Sequence, residues 1–189
     1  MGFRAWGAVG VAALALASIT GCSSDDEMSS SPSGQNTGTT QQSLYERLGK
    51  KEGIATAITA IVDEELKDTE MASYFFFQVQ SPIPAGHPSR AQIEECFVLQ
   101  LSEAAGGPEK YAGSKVSGGF ACRDMTTAHK GLGIPEGIFE RFITIAAGVL
   151  QKAGVKEADI NVIGSVLMGE KDTVAQDKSR KTGPFQAPQ

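Results

Sequence analysis

Apolar residues that recur every three or four positions constrain this chain most, because that spacing places them on one face of an α-helix. Four sets of this kind follow one another: Ile54, Ile58, Ile61 and Val62; Ile93, Phe97 and Leu101; Ile138, Phe139, Phe142, Ile143, Ala146, Val149 and Leu150; and Ile160, Ile163, Leu167 and Val174. Few segments alternate apolar and polar residues. Glycine or proline separates the sets, at Gly49, Gly86, Gly106, Gly118, Pro135 and Gly154. The pattern predicts an all-helical domain rather than an α/β fold.

One histidine stands on a short predicted helix between glycines. The segment DMTTAHKGLGI at 124–134 contains His129, and the chain has 2 histidines in all. Met125 lies four residues earlier, so both side chains project from one helix face. Glycines at 131 and 133 end that helix, and Pro135 begins the next. Judged by position alone, a histidine beside a helix end is more often a capping or surface residue.

Three motifs occur in a fixed order along the chain. They are SLYERLG at 43–49, GGPEKYAG at 106–113 and the histidine segment at 124–134. Together they resemble the group 1 truncated haemoglobins, over roughly residues 43–175. The resemblance implies a short globin in which helices pack two over two around haem b.

The resemblance also implies which residues contact the haem. His129 would coordinate the iron through one imidazole nitrogen while the other donates to a backbone carbonyl. Phe75 matches the aromatic that wedges against the haem face, and Met125 and Leu132 would line the proximal side. Ordinary core packing explains Phe75, Met125 and Leu132 equally well.

The distal side departs from the family pattern. Many members carry a Phe-Tyr pair late in the second helix, and its tyrosine hydroxyl donates to bound dioxygen. Here Ile61 and Val62 hold those positions. Neither side chain donates a hydrogen bond, which weighs against high oxygen affinity and against nitric oxide dioxygenation. Candidate donors from the family's fourth helix, which the sequence does not rank, are Gln92, Glu94, Glu95 and Gln100.

His87 lies in the segment PIPAGHP at 82–88. The simpler interpretation is a loop histidine in solvent, which leaves a ferrous iron five-coordinate. A second interpretation is that His87 swings inward as a sixth iron ligand, which would indicate electron transfer or gated sensing. We expect the first, because Pro84 and Pro88 stiffen the loop.

The beginning of the chain predicts export. Residues 1–21 contain one basic residue and then an apolar run too short for a comfortable membrane span, as in a secretory signal. The segment ITGC at 19–22 resembles the bacterial lipobox, which implies a lipidated Cys22 and, with serines following, an outer-membrane anchor on the periplasmic or cell-surface face. An ordinary signal peptide with an incidental cysteine is the alternative. We expect residues 22–42 to be a flexible tether, 43–177 the globin domain and 178–189 a mobile tail.

The chain has 3 cysteines. If Cys22 carries the lipid, Cys96 and Cys122 remain as an even pair, and export would place them in an oxidising compartment. A disulfide between them would pin residues 114–122, an insertion relative to the family's shorter turn. Two buried thiols are the alternative. The CxxCH motif of covalent c-type haem attachment does not occur.

Charge and motifs limit the function further. A net charge of −5 with scattered basic residues gives no footprint for nucleic acid, so we expect no nucleic-acid binding. We expect a lipid-anchored truncated haemoglobin that reversibly binds a diatomic gas (O2, CO or NO) rather than an enzyme. One alternative is a redox enzyme at the same iron, either a nitric oxide dioxygenase or peroxidase-like, which would need a reductase partner or a peroxide. The other is a haem-free helical envelope lipoprotein that acts as an interaction module.

Overall fold

A computed structural model describes residues 42–187 of the chain. The all-helical prediction is confirmed for this range, which contains two isolated β-bridges and no strand. A short 3-10 turn, Ser117–Gly119, lies between the fifth and sixth helices. The helices are α1 (Leu44–Arg47), α2 (Lys50–Glu65), α3 (Thr69–Ala72), α4 (Phe76–Val79), α5 (Arg90–Ala104), α6 (Met125–His129), α7 (Glu136–Lys152), α8 (Glu157–Met168) and α9 (Lys171–Val174).

The four long helices form two packed pairs. Helix α2 packs along α5, α7 packs along α8, and α2 also contacts α7. The apolar stripe of α2 is buried as predicted, and it meets the inner face of α7 and α8 in one core of Ile54, Ile58, Ile61, Val62, Val98, Leu101, Ala146, Val149, Leu150, Ile163 and Leu167. Each aliphatic side chain buried in this way contributes about 1.5–3 kcal/mol of transfer free energy.

A second cluster extends from the N-terminal half of α7. It contains Met71, Tyr74, Ile134, Ile138, Phe139, Val174 and Ala175. Phe142 and Ile143 of α7 contact both clusters. The long apolar stripe of α7 therefore joins the two halves of the interior.

Helix α5 differs from the sequence expectation. The predicted stripe was Ile93, Phe97 and Leu101, but the residues of α5 that become buried are Val98, Leu101 and Ser102. Ile93 and Phe97 instead line a cavity described below. The helix thus carries two neighbouring apolar stripes that are offset by one residue. Ile93 and Phe97 belong to the stripe that faces the cavity.

The SLYERLG segment at 43–49 packs on the GGPEKYAG segment at 106–113. Ser43 begins α1 with a reciprocal capping box, in which the Ser43 side chain accepts from the Glu46 amide and Glu46 accepts from the Ser43 amide. The Tyr45 hydroxyl donates to Glu109 at 2.9 Å. A Cβ on Gly107 would lie 2.7 Å from the Tyr45 ring. Only glycine permits this approach, which explains why glycine occupies this position of the GGPEKYAG segment.

An ion pair fixes α1 to α8. Arg47 donates to both carboxylate oxygens of Asp159, with Nη2 at 2.7 Å from Oδ1. The Asp159 side chain is only 8% exposed. Hydrogen bonds from Arg47 hold the pKa of Asp159 below its usual value. The buried carboxylate therefore stays charged and paired, as a buried charge requires.

The composition predicted a mobile tail at 178–189, and several residues of this segment up to Phe185 contact the domain. The Tyr74 hydroxyl donates to the Gly183 carbonyl at 2.9 Å. The Phe185 amide donates to the Ser73 hydroxyl at 2.7 Å, and the Phe185 ring meets that of Tyr74 edge-on. Two residues of this segment thus have aromatic and hydroxyl partners that are distant in sequence, and its mobility stays a prediction.

The predicted signal peptide (1–21), the lipid-bearing Cys22 and the tether up to residue 41 lie outside the described residues, as do residues 188 and 189. Between residues 42 and 187, none of the helices is both long and apolar enough to cross a bilayer.

Candidate functional site

A cavity of about 290 Å³ lies beside the two core clusters. Its lining is mostly aliphatic and aromatic, and it comes from α2, the α3–α4 region, α5, α6, α7 and α8. All five residues predicted from the sequence for the cofactor site line this one cavity: Val62, Phe75, Met125, His129 and Leu132. The fold thus brings together residues up to 70 positions apart in the sequence, and their contacts with a cofactor stay predictions.

Helix α6 is held at both ends. At its start the Asp124 carboxylate accepts from the Thr127 amide at 2.9 Å and from the Thr127 hydroxyl at 2.7 Å. After its end, Gly131 and Gly133 have φ of 78° and 58°. These left-handed conformations favour glycine and turn the chain sharply toward α7. His129 is the last residue of the helix and is partly buried against the cavity.

The orientation of the His129 ring defines its tautomer. Nδ1 lies 2.9 Å from the Met125 carbonyl oxygen, one turn earlier. Because a carbonyl only accepts, Nδ1 must carry the proton, and Nε2 keeps a free lone pair. Burial lowers the pKa of His129, so the ring is neutral at pH 7. A neutral imidazole with one nitrogen anchored and the other free is the arrangement of a histidine that ligates a metal.

The Met125 thioether is held by two donors. Gln100 Nε2 donates to Met125 Sδ at 3.0 Å, and the Tyr111 hydroxyl donates to the same sulfur at 3.7 Å. Burial raises the pKa of Tyr111 to about 12, so its hydroxyl stays protonated. These contacts link α6 to α5 and to the GGPEKYAG segment, and they help to hold His129 in place.

Known proteins share this architecture. The sequence is 29% identical over 126 residues to a group 1 truncated hemoglobin of Tetrahymena pyriformis. The aligned region covers 67% of this chain and 88% of that relative. The structure is similar to the crystal structure of truncated hemoglobin from Tetrahymena pyriformis in its Fe(III) form, with a TM-score of 0.56 and 23% identity over 70% of this chain and 97% of that one. The chain has the two-over-two globin fold.

A further solved structure agrees. The 2/2 hemoglobin from Synechococcus sp. PCC 7002, solved in the cyanomet state with covalently attached heme, gives a TM-score of 0.56 and 18% identity over 71% of this chain and 99% of that one. No protein-family model matches the sequence. Similarity in sequence and in fold nevertheless points to the truncated haemoglobins, which supports the resemblance noted from the motifs.

Within this globin fold, Val62 reaches the cavity from α2 with no polar atom on its side chain. The four residues of α5 that the sequence offered as candidate hydrogen-bond donors to a ligand all have hydrogen-bond partners within the protein. These are the Ser117 carbonyl for Gln92, the Arg90 guanidinium for Glu94, the Ser117 amide for Glu95 and the Met125 sulfur for Gln100. Gln92 and Gln100 line the cavity, whereas Glu94 and Glu95 do not belong to its lining.

Glu65 belongs to the lining of the same cavity, although none of the three sequence motifs contains it. It lies on α2 three residues after Val62 and is only 2% exposed. Burial raises its pKa to about 8. A signal was present in the sequence, since Glu65 continues the buried stripe of Ile54, Ile58 and Ile61 at helical spacing.

His87, the other histidine, also lines the cavity. Its ring centroid lies 4.0 Å from that of Phe76, and its amide donates to the Pro84 carbonyl at 3.1 Å. Both histidines of the chain therefore border one space, and five-coordination of the iron stays a prediction.

Cys96 and Cys122 form a disulfide, with Cα atoms 5.5 Å apart. Cys96 lies on α5 and lines the cavity, and Cys122 is 2% exposed. The inserted segment 114–122 is also bonded to α5 through Ser117. The disulfide therefore fixes the insertion over one edge of the cavity.

Proposed function

We propose that this protein is a truncated haemoglobin that holds haem b in the cavity and reversibly binds a diatomic gas (O2, CO or NO) there. The observation that carries the proposal is the hydrogen bond from His129 Nδ1 to the Met125 carbonyl, which leaves Nε2 free to ligate iron. Similarity to the Tetrahymena pyriformis relative supports it.

The lining suits the chemistry of haem b. Aromatic and aliphatic side chains, including Phe75, Phe97 and Leu132, match the flat apolar porphyrin. Arg123 and Lys130 also line the cavity and would balance the two propionate carboxylates. Haem would supply an iron atom with an open position for a small gas. His129 would hold that iron, and the apolar side chains would exclude water.

The proposal is tested by adding haem to the haem-free full-length protein while the absorption spectrum is recorded. We expect saturable binding of about one haem per chain with an intense Soret band, because Nε2 of His129 is available to ligate one iron. The ferrous form should be five-coordinate and should bind carbon monoxide. A His87→Ala variant should give the same spectra.

Two outcomes would change the conclusion. Failure to saturate would leave the haem-free interaction module as the better explanation of the fold. A low-spin, six-coordinate ferrous spectrum that disappears in His87→Ala would show that His87 ligates the iron, and it would move the proposal toward electron transfer or gated sensing.

We further propose that the protein is anchored to the outer membrane through lipid on Cys22, on the basis of the ITGC segment at 19–22. Cys22→Ser should accumulate as precursor and lose membrane partitioning, because the several acyl chains of a lipoprotein provide the anchor. Mass spectrometry of the mature wild-type protein checks this, and an unmodified Cys22 would contradict it.

A further inference from the structure

The buried face of α2 ends in a carboxyl group. Ile54, Ile58 and Ile61 lie in the core, and Glu65 follows at the next helical position with 2% exposure. It also lines the cavity together with Val62. A glutamate at a fully buried position is rare unless it is paired or functional.

Glu65 has no partner among the described residues. Its Oε1 atom is buried without any hydrogen bond. The arginines on the helices that pack against α2 are bonded elsewhere, Arg90 of α5 to Asp63 and Glu94 and Arg141 of α7 to Asp68 and Glu70. A buried polar group left in this way destabilises the fold, so stability does not explain its presence.

No charged neighbour holds Glu65 in its ionised form. The ionisable side chains that share the cavity lining include His87, Arg123, His129, Lys130 and Glu170, with two tyrosines. Burial alone raises the pKa of Glu65 from its ordinary 4.5 to about 8, with no contribution from any of these groups. At pH 7 the side chain is therefore mostly a neutral acid, which carries an O–H donor that the carboxylate lacks.

The position of that donor is informative. Glu65 reaches the cavity from α2, which packs against α5 and α7, whereas His129 reaches it from α6, which packs against α9. The acid and the imidazole therefore approach the same space from separate helices. A group bound between them would have His129 on one side and a hydrogen-bond donor from α2 on another.

We propose that Glu65 is the hydrogen-bond donor for the gas ligand, its neutral carboxyl O–H donating from α2 where Val62 cannot. The identity of the ligand rests on the proposed function. A donor in an apolar cavity favours a ligand that carries partial negative charge when bound, so Glu65 selects dioxygen over carbon monoxide. Dioxygen is then released slowly, although valine stands at position 62, where many members of the family have a tyrosine donor.

The protonation state is tested first, in the haem-free full-length protein. We expect the infrared C=O stretch of a protonated carboxylic acid at pH 7, lost in Glu65→Gln and kept in Glu64→Gln. Glu64 is the matched control because it is the adjacent carboxylate, paired on the surface with Lys67. Absence of the acid band from the wild type would overturn the proposal without touching haem binding.

The pH dependence of unfolding gives a second readout. The folded protein retains a proton on Glu65 that the unfolded chain releases above pH about 4.5. The folding equilibrium constant of the wild type, relative to Glu65→Gln, should therefore fall by up to about tenfold per pH unit from about pH 5 to about pH 8 and then level off. Glu64→Gln should follow the wild type. Parallel profiles for all three proteins would contradict a raised pKa.

The haem-loaded protein tests the donor itself. In Glu65→Leu, dioxygen should dissociate about tenfold or more faster, as expected for a lost hydrogen bond of roughly 1.4 kcal/mol. The C–O stretching frequency of the carbon monoxide form should rise, and Glu65→Gln should restore both properties in part because an amide also donates. Unchanged dioxygen release and an unchanged C–O frequency in Glu65→Leu would overturn the proposal. An acid band without any haem uptake would overturn both proposals.

Discussion

Replacing His129 with alanine should abolish stable haem binding. We expect the affinity for haem to fall by more than about 100-fold, because loss of a residue that merely orients a metal ligand already weakens binding by about 10–100-fold. The remaining apolar lining would hold the porphyrin without holding the iron. Haem titration of the variant, followed through the Soret band, measures the effect.

A cavity variant sharpens this test. His129→Gly removes the ring and leaves the Met125 carbonyl in place, so added imidazole should restore the spectrum of the wild type. His87→Ala serves as the control because it removes the other histidine of the lining. Haem occupancy in His129→Ala equal to that of the wild type would exclude His129 as the axial ligand.

The second large effect concerns the disulfide. Replacing both Cys96 and Cys122 with serine should lower the free energy of unfolding by about 3 kcal/mol, since the bond closes a loop with a sequence separation of 26 residues and restricts the unfolded chain. Denaturant unfolding of the wild type and the double variant measures the difference. A reductant should destabilise the wild type by a similar amount and leave the double variant unchanged. Peptide mapping that finds both thiols free in protein taken from the cells that produce it would contradict the prediction.

The sequence predicted the parts of the molecule that depend on local periodicity or on a spaced motif. The stripes of α2 and α7 are buried as expected, because a continuous helix with one apolar face has one way to bury it. Met125, His129 and Leu132 line one cavity with Phe75 and Val62. The haem contacts themselves stay predictions.

Other features depend on contacts that periodicity does not encode. The sequence did not show which face of α5 enters the core, because both Phe97 and Val98 belong to plausible apolar stripes. It also did not show that Phe185 packs on Tyr74, since a short proline-containing end resembles any mobile tail. Glu65 was missed for a different reason. A charged residue type is expected on the surface, and that expectation outweighed the helical spacing that places Glu65 on the buried stripe of Ile54, Ile58 and Ile61.

The short length of α6 has a consequence for the order in which the molecule opens. Five residues form too few backbone hydrogen bonds for a helix to be stable alone, because isolated helices shorter than about 12–15 residues are marginal in water. Its order therefore comes from the Asp124 cap and from the Met125 contacts. Such a segment unfolds locally at a small fraction of the global unfolding free energy. A ligand held by Nε2 of His129 would bind only the folded form of this helix and would therefore suppress its local unfolding. Amide exchange in residues 125–129 would then report occupancy of the cavity more sensitively than the melting temperature of the whole domain.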